Sequence, residues 1–208
     1  YVAEMQPGLG GYPFTISWDV DSLTSGTYIL RDSATHGALL RVDMKKQNVV
    51  AVSDTSIHVI EILECKNVSV TYGTNGGWNL LSIPVEVADQ RKASLFPYSQ
   101  SEAFAYNGSY SVQETLKIGV GYWIKMEQAT IVGCPHLSDT LIVSKGWNMI
   151  GSLSAPIAVS SIVAVPDSIV SSNYFGYSGG YYVASMLDPG SGYWVKANVP
   201  GVLILSSS

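Results

Sequence analysis

The sequence predicts an all-β chain, and three observations carry that reading. Two segments recur: Gly77-Trp78-Asn79-Leu80-Leu81 returns 69 residues later as Gly146-Trp147-Asn148-Met149-Ile150, and Gly121-Tyr122-Trp123-Ile124-Lys125 returns 71 residues later as Gly192-Tyr193-Trp194-Val195-Lys196. Short alternating runs rich in Val, Ile, Tyr and Trp are separated by Gly, Asn, Asp and Ser, the pattern of strands and tight turns. The chain also combines 47% hydrophobic residues with only 13% charged ones, well under the usual charged share of about 25%. Self-similarity at a fixed period decides the architecture. The 208 residues divide into a small β-sandwich of immunoglobulin or fibronectin kind over 1–64 and two homologous β-rich modules in tandem, 65–133 and 134–208.

Residues 1–11 read as a loop, with Pro7, Gly8, Gly10 and Gly11 close together. Strands are then expected at Phe14–Trp18, Thr27–Leu30, Ala38–Val42, Asn48–Val52 and Ile57–Ile62, with turns at Ser25-Gly26, His36-Gly37, Lys45–Gln47 and Ser53-Asp54. Strands about ten residues apart with this punctuation suit a sandwich. Each repeat offers a lead strand (Val68–Tyr72; Thr140–Val143), the Gly-Trp-Asn strand, and a short helix or turn near Asp89–Phe96 or Ser160–Val165. A hairpin follows, with its tip at Tyr106-Asn107-Gly108-Ser109-Tyr110 or Tyr177-Ser178-Gly179-Gly180-Tyr181. Asn-Gly at such a tip signals a type I′ turn, which needs positive φ at both central residues. The Gly-Tyr-Trp strand and a final apolar strand (Ala129–Val132; Val202–Leu205) close each unit. Modules of this size are marginal alone, so contacts between them are expected to add stability.

The recurring aromatics are the candidate functional residues. Trp78, Trp123, Trp147 and Trp194 are read as structural core, since a Trp at fixed register beside apolar neighbours buries about 150–250 Å². A sugar-stacking platform is the alternative. Strand alternation puts Trp123 and Trp194 opposite Tyr122 and Tyr193, which face outward if the indoles face in. Tyr106, Tyr110, Tyr177 and Tyr181 flank the hairpin tips. They cover the module ends, or they are the first residues to examine for binding of a glycan or protein, because tyrosine joins a rigid ring to a polar end.

Other chemistry is sparse. His36, His58 and His136 lie in different segments and do not recur, and His58 reads as solvent-facing. No nucleophile elbow, paired metal-binding histidines, Cys-x-x-Cys or phosphate loop appears, so no catalytic residue, metal or cofactor is assigned. Asp19 and Asp21 could offer oxygens to calcium, but two carboxylates fall short of the roughly 6–8 ligands it takes. Glu86, Glu102, Glu114 and Glu127 have no counterparts in the second repeat, against a duplicated glycosidase pair. Asn67-Val68-Ser69 and Asn107-Gly108-Ser109 match the N-glycosylation triplet. Cys65 and Cys134, the only cysteines, each precede their repeat's Trp by 13 residues. Equivalent positions in stacked modules sit too far apart to bridge, so buried free thiols are favoured over an intrachain bridge, and an intermolecular bridge is the remaining alternative.

Net charge of −5 gives no field for phosphate, so nucleic acid is not an expected partner. Charge thins along the chain, from four Lys/Arg and eight Asp/Glu in 1–64 to two and three in 134–208. A Ser-, Gly- and Tyr-rich repeat with so little charge suits an extracellular or cell-surface setting. No apolar run reaches the 18 or so residues of a membrane span. The start at Tyr1-Val2-Ala3 reads as a cut within a longer protein.

With those residues in view, the repeats resemble the Gly-Trp-Asn…Gly-Tyr-Trp modules near the C-termini of large secreted bacterial proteins, over residues 73–205. The second copy departs from the pattern, with Gly151-Ser152-Leu153 in place of Ser82-Ile83-Pro84. The segments Ile16-Ser17-Trp18-Asp19, Gly26–Asp32 and Val42-Asp43-Met44 resemble the β-sandwich that precedes sorting domains in exported proteins of the Bacteroidetes and Chlorobi group. What this resemblance implies is export by a type IX-like route, with no catalytic residues. The expected function is a non-catalytic structural or adhesion module, the C-terminal region of a larger secreted or surface protein, whose partner is itself, another surface protein or a glycan. Self-assembly into a filament is one form of it. The alternative is a carbohydrate-binding accessory module of a secreted hydrolase.

Overall fold

Strands dominate the computed structural model, which describes residues 1–7, 10–73 and 76–207. The chain divides into two compact units, Tyr1–Asn67 with Val87–Asp89, and Val68–Glu86 with Gln90–Ser208, so the second repeat and all of the first except 65–67 and 87–89 fall in the second unit.

The first unit holds β1 (Val2–Glu4), β2 (Phe14–Ser17), β3 (Thr27–Asp32), β4 (Arg41–Asp43), β5 (Val49–Val52) and β6 (Val59–Cys65). They form a four-stranded sheet, β1-β6-β3-β4, and a two-stranded one, β2-β5. Alternate residues of both enclose one core: Tyr28, Leu30, Val42, Val52 and Ile60 are buried, with Phe14, Ile16 and Val50 packed on them. The start of the chain corrects the sequence expectation. Val2–Glu4 is not loop but an edge strand, with Val2 opposite Glu61 and the Tyr1 ammonium donating to the Ile62 carbonyl at 2.8 Å. Its three residues are all exposed and carry no periodicity to read; Gly8 lies outside the described residues. Asp32 is buried, and its carboxylate accepts from Thr35, Leu39 and Leu40. Burial raises its pKa, but these hydrogen bonds prevail and lower it.

The first repeat contributes β7 (Val68–Tyr72), β8 (Gly77–Ser82), β9 (Val85–Glu86), the one-turn α1 (Lys92–Leu95), β10 (Ala103–Tyr106), β11 (Tyr110–Gln113), β12 (Gly121–Met126) and β13 (Ala129–Pro135). The second contributes β14 (Ser138–Val143), β15 (Gly146–Ile150), β16 (Ile157–Ala158), a 3-10 turn at Val159–Ser161, β17 (Val163–Val165), β18 (Tyr174–Tyr177), β19 (Tyr181–Ala184), β20 (Met186–Leu187), β21 (Tyr193–Ala197) and β22 (Gly201–Ser206). Each builds a four-stranded antiparallel sheet of matching order, β11-β10-β12-β8 and β19-β18-β21-β15. A three-stranded sheet accompanies each, β7-β13-β9 and β14-β22-β17. In the second repeat Leu141, Val143, Leu203 and Leu205 pack against Ile150, Tyr193, Val195 and Ala197 in one buried cluster.

The two repeats interlock by main-chain bonds at corresponding positions. The Ser82 N–H donates to the Gly190 carbonyl at 2.8 Å, and the Gly151 N–H to the Gly119 carbonyl at 2.9 Å. Leu81 bridges to Ser191, as Ile150 does to Val120. This reciprocity is that of an isologous interface, the same patch used twice about a local twofold axis. It explains both Gly-Tyr-Trp glycines. A Cβ on Gly121 would stand 2.9 Å from the Ile150 carbonyl oxygen, and one on Gly192 would stand 2.9 Å from that of Leu81.

Two further expectations are corrected. The hairpins are not two-residue type I′ turns: Tyr106 pairs with Tyr110 and Tyr177 with Tyr181, leaving three-residue loops in which Gly108 and Gly179 alone take positive φ, 77° and 72°. One left-handed residue per loop meets the demand that Asn107 and Ser178 would otherwise share. Cys65 and Cys134 are not free thiols but are disulfide-bonded. The first and last strands of the first repeat pair antiparallel, with Gly133 opposite Val68, so the end of the repeat returns to its beginning rather than a module away. Cys134 is fully buried. No helix among the described residues is long and apolar enough to cross a membrane.

Candidate functional site

Alternation along β12 and β21 separates Tyr from Trp, but the sides are the reverse of those expected. Tyr122 and Tyr193 are the buried ones, 2% and 0% exposed. Their hydroxyls are satisfied inside: Tyr122 Oη accepts from the Lys117 N–H and Tyr193 Oη from the Asp188 N–H, each at 2.7 Å. Burial raises both phenols, Tyr122 to about 12, with these amides opposing. The readable signal was the repeated Leu-x-x-Gly-x-Gly-Tyr, Leu116–Tyr122 and Leu187–Tyr193, whose closing tyrosine accepts from the N–H five residues before it. The asparagines of Gly-Trp-Asn fasten the starts of β8 and β15. Asn79 Nδ2 donates to the Gly77 and Met126 carbonyls, and Asn148 Nδ2 to those of Ser144 and Gly146.

The indoles therefore lie on the other face, and two of them are not core: Trp78 is 46% and Trp147 41% exposed. Trp123 is half-buried and Trp194 buried, at 9%. The four-stranded sheets pack their aromatic faces together around Leu80, Met149 and Trp194, with Tyr106, Trp123, Phe175 and Tyr177 against them. Ring contacts cross the local twofold in matched pairs. Tyr106 meets Trp194 edge-on at 5.0 Å, and Tyr177 meets Trp123 at 4.8 Å. Within repeats, Trp78 lies 5.9 Å from Phe104 and Trp147 lies 6.0 Å from Phe175. Each such edge or tilted pair contributes about 0.5–1.5 kcal/mol beyond area burial.

Two clefts of about 500 Å³ open on this face. One is lined by Trp147, Phe175, Tyr181 and Trp194 of the second repeat and Tyr106 and Tyr110 of the first. The other is lined by Trp78, Phe104, Tyr110 and Trp123 of the first and Tyr177 and Tyr181 of the second. The four hairpin tyrosines thus all stand at these clefts, and Tyr110 and Tyr181 line both. Phe104 and Phe175 were missed, although their 71-residue spacing was there to find.

Among the described residues no charged side chain lines either cleft; the Lys196 ammonium lies 6.0 Å from the Trp147 ring centre. The Trp194 indole N–H is buried without a hydrogen-bond partner. The Tyr181 hydroxyl is near enough to feel it, which favours the phenolate, but the two lack hydrogen-bond geometry. Burial outweighs that influence and raises the Tyr181 phenol.

The remaining candidates are structural. Asp19 Oδ1 caps the short 3-10 turn by accepting from the Asp21 N–H at 3.0 Å, and among the described residues no three His, Cys, Asp or Glu converge on a metal position. His58 is exposed, and His36 Nδ1 is 4.0 Å from Glu61. His136 is held between carboxylates, Nδ1 at 3.4 Å from Glu86 and Nε2 at 3.3 Å from Asp139. Burial pulls its pKa down, but Asp139 and Glu86 prevail and lift it to about 9, which favours the imidazolium at neutral pH. Comparison with protein-family models, curated proteins and solved structures finds no match to this chain.

Proposed function

We propose that the chain is a non-catalytic adhesion module of a larger secreted or surface-anchored bacterial protein, and that it holds its partner on the aromatic face of the repeat pair. The twin clefts carry this reading. They concentrate exposed indole and phenol rings, the side chains that dominate recognition surfaces, and among the described residues their walls hold no carboxylate or imidazole. A buried disulfide suits an oxidising compartment. The exposed indoles of Trp78 and Trp147 favour a second, narrower reading, a carbohydrate-binding accessory module of a secreted hydrolase. Retention on immobilised neutral polysaccharides and on extracellular matrix proteins tests the proposal. The intact chain should be held by at least one surface and a Trp78→Ala/Trp147→Ala double variant by none. Equal retention of the two, or none by either, would count against it.

A further inference from the structure

We infer that the repeat pair carries two separate sites for an uncharged oligosaccharide, one in each aromatic cleft, filled at two ligands per chain and unequal in strength. The inference rests on the adhesion reading and deepens it.

The two linings correspond residue for residue. Trp147, Phe175, Trp194, Tyr181, Tyr106 and Tyr110 in one cleft occupy the repeat positions of Trp78, Phe104, Trp123, Tyr110, Tyr177 and Tyr181 in the other. Equal volumes of about 500 Å³ lie within the ~300–1,000 Å³ span of ligand sites. A construction repeated about a twofold axis presents its binding groups twice, so a ligand that fits one cleft meets a near copy in the other.

The lining chooses the chemistry. Without a charged wall, an ionic ligand would lose its hydration and gain no counterion. A pyranose offers an apolar C–H face to an exposed indole and a girdle of hydroxyls to the phenols around it. Tyrosine hydroxyls both donate and accept, and so do sugar hydroxyls; a proline-rich strand brings carbonyl acceptors alone from its prolines. The inequality has one visible cause. Trp194, whose ring lines the Trp147 cleft, keeps a buried N–H without a hydrogen-bond partner, a donor that a ligand oxygen drawn in beside the ring would satisfy. Its counterpart Trp123 is only half-buried, where water can serve. The Trp147 cleft is therefore the tighter site.

Calorimetric titration of the full chain with neutral glucan, xylan, mannan and chitin hexasaccharides, and with decaproline, tests this. One sugar should bind at two sites. Trp147→Ala should remove the tighter and Trp78→Ala the weaker, each variant retaining one site and a cooperative melting transition. Trp194→Phe, which keeps a ring and deletes the N–H, should weaken the tighter site about five-fold and leave the other unchanged. A single site abolished by either Trp→Ala variant would overturn the two-site inference while leaving the adhesion reading in place. Binding of decaproline and no sugar would overturn the ligand class. Sugar binding indifferent to all three variants, or no binding at all, would overturn the inference.

Discussion

The first and second repeats keep the same backbone devices and differ in how far their aromatic faces are closed. The reciprocal Ser82–Gly190 and Gly151–Gly119 bonds, the Tyr122 and Tyr193 hydroxyls on Lys117 and Asp188, and the Asn79 and Asn148 clamps all occur in pairs. The indole side differs between the copies. Trp194 is buried and meets Trp147 edge-on at 6.2 Å, while Trp123 is half-buried and meets Tyr181 at 6.4 Å instead. The bonds that lock the repeats together come in twos, and the cleft walls are where the two copies diverge.

Substitutions sharpen or break that contrast. The largest difference is expected between Trp194→Ala and Trp123→Ala. Removing the buried indole should cost about 3–5 kcal/mol, and removing the half-buried one clearly less; equal losses in denaturant melts would erase the distinction. Gly121→Ala and Gly192→Ala should each cost about 1–3 kcal/mol, because the new methyl meets a backbone carbonyl of the other repeat that has no free end to swing away. Here the two losses should match, and a neutral result at either would refute the close approach. Tyr122→Phe and Tyr193→Phe should follow at about 1–2 kcal/mol, since each leaves a partly buried amide of the preceding loop without its acceptor.

A contact with no twin offers a test of another kind, read against pH. His136 has a folded pKa of about 9, above the ~6.5 of an unfolded histidine. Its contribution is therefore complete below the unfolded value and lost as pH rises through the folded one. Stability should fall by on the order of 2–3 kcal/mol between pH 6 and 9.5, and His136→Gln should flatten that slope. A wild-type melting temperature unchanged across the range would show that Glu86 and Asp139 do not hold the charge.

Strand positions were legible because alternation and turn residues are local; β7, β12, β13, β14 and β22 fall where the apolar runs place them. Which side of a strand is inside is not local. Alternation in Gly-Tyr-Trp separates two rings without ranking them, and the ranking comes from the loop five residues upstream, whose amide needs the tyrosine hydroxyl. The hairpin tyrosines were legible as a group, since they recur together. That they converge with Phe104 and Phe175 on shared clefts depends on the local twofold, which no stretch of sequence displays. The disulfide escaped for a related reason. Spacing suggested a linear stack, whereas β7 and β13 pair and bring the repeat's ends together.

The exchanged bonds at Ser82, Gly119, Gly151 and Gly190 have one more consequence. Each repeat carries both halves of the lock, the amide that gives and the carbonyl that receives. A chain cut down to one repeat would bare an adhesive edge whose best complement is its own twin. Linking the copies in a single polypeptide turns that bimolecular encounter into an internal one, so the ring-lined face assembles at any dilution.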